Sequence, residues 1–210
     1  MIRIYIKIDK PKGLKSSILL CFRGESTSET YSELIKMIKI TRKAIDSTLE
    51  KTIKAYNRGE LQEFQMSVEE RVKQEKPLLY DYINSGIEGL QKIDGEEGQL
   101  ILAGYRSASH LTFRMIEEQL DLNPQQSPEI TIEDIEKANE GVEILTRMEV
   151  SDISLAKIAQ IRNENPKFGD YVTIYIMHQA PNEMIARGFA LGVITTYTAY
   201  EQAFERLKTG

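Results

Sequence analysis

Residues 171–207 constrain the fold more than any other stretch. Between Tyr171 and Tyr200 the formally charged side chains are Glu183 and Arg187, in a chain of which 28% is charged. Such a segment has to be covered by the rest of the protein, because large apolar patches are not left in water without a use. Its first part, Tyr171-Val172-Thr173-Ile174-Tyr175-Ile176-Met177, alternates, the period of a half-buried strand with Val172, Ile174 and Ile176 inward. Ala180-Pro181-Asn182 breaks that pattern. Beyond it Ile185, Phe189, Val193, Tyr197, Tyr200, Phe204 and Leu207 recur every three or four residues, which predicts a helix. Met184, Leu191 and Ile194 fall off this stripe, so the helix should be buried on most sides. Gly188, Gly192 and Thr196 form a smooth strip four residues apart. Glycine in a helix interior costs about 1 kcal/mol relative to alanine. The strip therefore predicts the close approach of another backbone, and it is the candidate self-association face.

The other end of the chain reads as β. Ile2-Arg3-Ile4-Tyr5-Ile6-Lys7-Ile8 alternates without a fault, Asp9-Lys10-Pro11-Lys12-Gly13 supplies turn chemistry, and residues 17–22 are a continuous apolar run. This predicts an N-terminal hairpin, with residues 171–177 completing a three-stranded sheet, since a lone hairpin is marginal in water. Between them the periodicity is helical. A capping-box spacing at Ser26 and Glu29 precedes a stripe of Leu34, Ile38, Ile45, Leu49, Ile53 and Tyr56, stopped by Asn57-Arg58-Gly59. Leu61, Phe64, Val68 and Val72 open a second helix, and Pro77 kinks it or starts a third. After Gly95-Glu96-Glu97-Gly98 a helix runs to about Leu122. Thr131 caps the next, and Ser151-Asp152 starts another that ends at Asn163-Glu164-Asn165-Pro166. The fold class expected is α+β, mainly α: a helical bundle with an N-terminal β-hairpin. Residues 121–128, with Pro124 and Pro128, are the most linker-like. They divide the chain into 1–122 and 131–210, unless 1–210 is a single domain.

Charge is uneven. Residues 1–24 carry six basic side chains against Asp9, while the whole chain is net −5. Lys10, Lys12 and Lys15 are the candidate nucleic-acid contacts, and the competing reading is a solvated strand edge. Cys21 is alone, so no internal disulfide forms, and its apolar surroundings suit a small core residue. No basic, apolar leader precedes the hairpin and no long apolar run follows, so a cytoplasmic protein without a membrane segment is expected.

With two histidines and one cysteine the catalytic inventory is thin. Phosphate-binding glycine loops, Cys-x-x-Cys, His-Glu-x-x-His and Gly-x-Ser-x-Gly are missing, so neither a cofactor nor a metal is expected. The constellation with chemical content is Arg106, His110, Arg114 and Glu118, four apart on one helix face: a histidine that moves a proton beside a guanidinium that holds a phosphate. Arg106-Ser107-Ala108-Ser109-His110 resembles, over five residues, the arginine and histidine of helical ribonucleases and nucleotidyl-transfer proteins of the HEPN type. It has fewer intervening residues and lacks the polar amide or acid after the arginine. The competing reading is a solvated face of alternating charge. His178, after the apolar alternation, is a further catalytic candidate.

These observations favour a non-enzymatic helical interaction or structural protein that self-associates as a homo-oligomer or meets a protein partner. The first alternative is a nucleic-acid-binding or RNA-processing protein using the hairpin and the Arg106/His110 face. The second is a small-ligand-binding regulator with a cavity near Tyr171, Tyr175, Tyr197 and Tyr200.

Overall fold

A computed structural model describes residues 40–122, 127–147, 150–178 and 182–209. The chain divides into compact units 1–36 and 37–210, and every described residue belongs to the second. Among the described residues there are eight helices: α1 Arg42–Asn57, α2 Leu61–Glu75, α3 Pro77–Gln91, α4 Gly95–Leu122, α5 Ile132–Arg147, α6 Val150–Glu164, α7 Pro166–His178 and α8 Glu183–Thr209.

Local chemistry sets the boundaries. The Thr41 hydroxyl accepts the Ala44 N–H and caps α1. Gly59 turns the chain into α2 at φ 73°, and Gly95 starts α4 at φ 90°, both in the left-handed region that favours glycine. Pro77 occupies the first turn of α3, where its missing N–H has no helical partner to lose. Thr131 and Asp134 make a reciprocal capping box at α5, with the Asp134 carboxylate accepting the Thr131 N–H at 2.8 Å. The Asn165 carbonyl accepts the Gly169 N–H at 2.8 Å, so Asn165 opens α7 and Pro166 is its first residue.

The centre of the body is the pair α4 and α8. Gly188 meets the backbone of Ile101, Gly192 lies against Ala108 and Ser109, and Thr196 donates to the Ser109 carbonyl at 3.5 Å. Further along, Tyr200 meets Phe113 and Glu117. The meeting points advance together along both helices, so the two run parallel, which the intervening α5, α6 and α7 permit by carrying the chain back. Gly104 returns the arrangement from the α4 side, lying against the backbone at Ile185 and Phe189. Without Cβ atoms at these positions the two backbones touch, and the dispersion attraction between them offsets the poor helix propensity of glycine. Around this pair Phe189, Val193, Ile194, Tyr197, Phe113, Met115 and Ile116 are buried. Tyr175 stacks on Phe189 at 3.8 Å between centroids, and Phe168 on Tyr197 at 5.8 Å.

The α+β expectation is corrected here. Among the described residues there is no strand, and residues 171–177 lie within α7. A sheet completed by that segment does not form. Alternation misled because a helix period also passes through these residues: Phe168 and Val172 are buried one turn apart, while Ile174, inward on the strand reading, is 53% exposed. The N-terminal hairpin itself lies outside the described residues. Pro77 starts a new helix and does not kink the second.

Candidate functional site

His110, Arg114 and Glu118 project from one face of α4 into the seam made with α1 and α2, while Arg106, one turn before His110, is exposed. Glu118 accepts from the Ser47 hydroxyl at 2.8 Å and from Lys51 Nζ at 2.5 Å, both on α1. Burial acts to raise its pKa, but those donors and Arg114 outweigh it and hold the carboxyl below its usual range. The Arg114 guanidinium lies 5.4 Å from the centre of the Phe64 ring on α2, a cation–π contact. Its Nε is buried without a hydrogen-bond partner among the described residues. Burial and the neighbouring Arg71 lower its pKa, opposed by Glu118, Asp121 and Glu75. Arg71 is itself paired with Glu75 at 2.8 Å.

His110 is half-buried. Burial is the main cause of its lowered pKa, Arg106 adds to it, and Glu69 opposes both. The imidazole is therefore neutral at pH 7 and able to accept a proton, one turn from the exposed Arg106. That is the chemical capacity of the face. In the same seam Glu69, Glu75, Glu118 and Asp121 are matched by Lys51, Arg71, Arg106 and Arg114, so the face is not the basic surface that a polyanion is drawn to.

The remaining candidates are scattered. His178 ends α7, a helix that packs on α6, α8 and α1 and not on α4, so it does not join the Arg106/His110 face. Lys10, Lys12 and Lys15 lie outside the described residues. Gly188, Gly192 and Thr196 are covered by α4 of the same chain, so a second copy cannot occupy that strip without displacing α4. Of the tyrosines, Tyr197 and Tyr200 are buried and Tyr171 and Tyr175 half-buried. Among the described residues no group of three His, Cys, Asp or Glu side chains is placed to hold a metal ion. No described helix is long and apolar enough to cross a membrane.

Reading by periodicity missed the buried polar contacts. Tyr200 donates to Glu117 at 2.5 Å in full burial, and burial together with that carboxylate pushes the phenol pKa well up. Asn165 accepts the Ile40 N–H at 2.8 Å and donates to the Tyr197 hydroxyl at 2.6 Å. Gln119 accepts the Thr41 N–H at 2.8 Å. Lys157 of α6 pairs with Glu201 of α8 at 2.9 Å, and Arg206 of α8 with Asp134 at 3.1 Å. A partial signal existed: Glu201 follows the uncharged run 188–200, whereas Glu117 and Gln119 stand among Arg114, Glu118 and Asp121 and read as a solvated face until burial forces partners on them. The mate of the glycine strip was also legible, as Gly104, Ala108 and Thr112 repeat its four-residue spacing on α4. No protein-family model matches this chain, and no curated protein or solved structure is significantly similar to it.

Proposed function

We propose that this chain is a non-enzymatic helical interaction protein that associates with itself. The observation that carries the reading is a set of large apolar side chains on α1 and α2 that the other described residues leave exposed. Ile45 is buried at the start of the α1 stripe and Leu49 half-buried, but Ile53 and Tyr56 are 56% and 68% exposed, and Met66 of α2 is 60% exposed. Tyrosine and methionine are enriched where proteins meet, because they bury much area with adaptable or amphipathic side chains. Several ionisable groups with displaced pKa values, Glu118, Asp134, Tyr200 and Glu201, are engaged by contacts inside the chain, which suits structural duty. The face around His110 is charge-balanced, with Lys51 and Arg71 already paired to Glu118 and Glu75, and offers no basic surface to favour the RNA-processing alternative. Light scattering across a concentration series tests the proposal. A mass that rises to a defined multiple of 24.0 kDa supports it, and a monomer at the highest attainable concentration overturns it.

A further inference from the structure

We infer that the joint between α6 and α8 is a proton-sensitive device, in which Glu201 of α8 takes up a proton on mild acidification and α6 is then held more tightly. Its geometry is two carboxylates and one ammonium across a covered seam. The Glu201 side chain is 5% exposed and meets Lys157 Nζ of α6 at 2.9 Å. Lys157 also donates to the side-chain oxygen of Gln160 at 3.2 Å, and Gln160 in turn donates to Glu164 Oε1 at 2.9 Å. The other Glu164 oxygen is buried and has no hydrogen-bond partner among the described residues. This second carboxylate stands close enough to disfavour negative charge on both Glu201 and Tyr197. The next residue, Asn165, donates to the Tyr197 hydroxyl at 2.6 Å and fixes the seam there.

One ammonium cannot neutralise two carboxylates, and a covered excess of negative charge is relieved by a proton. Burial is the main cause that raises the Glu201 pKa, Lys157 opposes it, and Glu164 and Glu205 add to it. The other helices packed on α8 turn their ionisable groups elsewhere. From α4 Glu117 meets Tyr200, from α5 Asp134 meets Arg206 and Lys137 stands beside Glu205, from α3 Tyr82 stands beside Tyr105, and α7 brings the uncharged Phe168 to Tyr197. A carboxyl with a raised folded-state pKa contributes stability that is fully present below its unfolded pKa and is lost as pH rises through the folded one. The joint therefore tightens as pH falls from neutrality toward the ordinary carboxylate range. Lys157 is not stranded by the change, because Gln160 stays beside it and its side chain is 20% exposed. The same helix carries Ile158 and Ile161 into the core, so the proton on Glu201 governs how often they open to solvent. The Asp134–Arg206 pair further along α8 answers in the opposite sense, since the Asp134 carboxyl is held low.

Amide hydrogen exchange in the full chain, corrected for the intrinsic rate at each pH and read together with side-chain carboxyl carbon shifts, tests this. A single low protein concentration keeps association out of the comparison. The Glu201 carboxyl should titrate above the ordinary glutamate range. Protection of the Ile158 and Ile161 amides should rise as pH falls across that step, roughly tenfold for each unit between the folded and unfolded pKa values. Glu201→Gln should give protection that is already high at pH 7 and flat across the same range. Glu164→Gln should bring the Glu201 titration down and Lys157→Met should move it up, shifts read on the carboxyl itself and valid whether or not Glu201→Gln folds. A Glu201 carboxyl that titrates in the ordinary range, a titration that Glu164→Gln leaves unmoved, or α6 protection that stays constant or falls across the step in the parent would each overturn the inference.

Discussion

Substituting alanine for glycine at two helical positions should move stability in opposite directions. A Cβ built on Gly188 would overlap the Ile101 carbonyl oxygen and lie 2.7 Å from its carbon and 2.9 Å from its Cα, all backbone atoms that no rotamer change can clear. The parallel pair has to separate locally, loosening the packing around Gly104 and Gly192. Overpacking of this kind costs roughly 1–3 kcal/mol, and rigid opposing atoms place it at the upper end. Alanine returns about 1 kcal/mol through helix propensity, leaving a net loss of about 2 kcal/mol. Gly89 of α3 has nothing within 4 Å of the same built atom. There the propensity term acts alone, and Gly89→Ala should stabilise by about 0.5–1 kcal/mol. Urea denaturation at one fixed protein concentration measures both, with unchanged m-values as the check on two-state behaviour. At roughly 2–4 °C per kcal/mol for a chain of this size, Gly188→Ala should melt about 4–8 °C lower. A Gly188→Ala protein as stable as the parent would refute backbone contact between α4 and α8.

Asn165→Ala should cost about 3 kcal/mol in the same assay, because it strips partners from the buried Ile40 N–H and Tyr197 hydroxyl. Tyr197→Phe, which removes only the second, should cost about 1 kcal/mol, and equal losses would show that Asn165 does not link the two. Asp134→Ala should destabilise by roughly 2 kcal/mol through loss of the α5 capping box. Burial acts to raise the Asp134 pKa, yet Arg206 and Thr131 hold it lowered, so its contribution is present above the ordinary carboxylate pKa and is lost as pH falls through the depressed one. The penalty of Asp134→Ala should accordingly shrink in acid, and a pH-independent penalty would remove the ionised carboxylate from the account. His110 has a folded-state pKa below its unfolded value, mainly from burial, so the parent loses stability as pH falls from 7 through 6.5 toward the lowered pKa. His110→Gln should flatten the pH dependence of melting in that window, and an unaltered profile would mean the imidazole is not held neutral.

Much of the helical order was legible in the residues themselves, because its signals are local. Gly59, Pro77, Gly95 and Thr131 act within a turn of where they stand, and each marks a boundary in the structure. The stripe Phe189, Val193, Tyr197 and Tyr200 is buried as its spacing implies. The error at residues 171–177 comes from weighing β-branched alternation above the signal just before it. Asn165-Pro166 ends one helix by its sequence, but it also starts the next, with proline at the position where it costs no hydrogen bond. Candidate chemistry was less legible for a different reason. Four-residue spacing places Arg106, His110, Arg114 and Glu118 on one face, but only the tertiary fold decides that Lys51, Ser47, Phe64 and Glu69 meet them. The glycine strip shows the same limit: its spacing announces a close backbone, and whether that backbone belongs to the same chain or another depends on topology.

Nuclear Overhauser contacts between the Ala108 methyl and the Gly192 α-protons test that last point most directly, measured with isotope filtering on mixed labelled and unlabelled chains. The built Cβ of Gly192 lies 2.9 Å from Ala108 Cβ, so a strong contact within one chain is predicted, with none between chains. A contact seen only between labelled and unlabelled chains, or no contact at all, would contradict the parallel α4–α8 pair on which the fold is built.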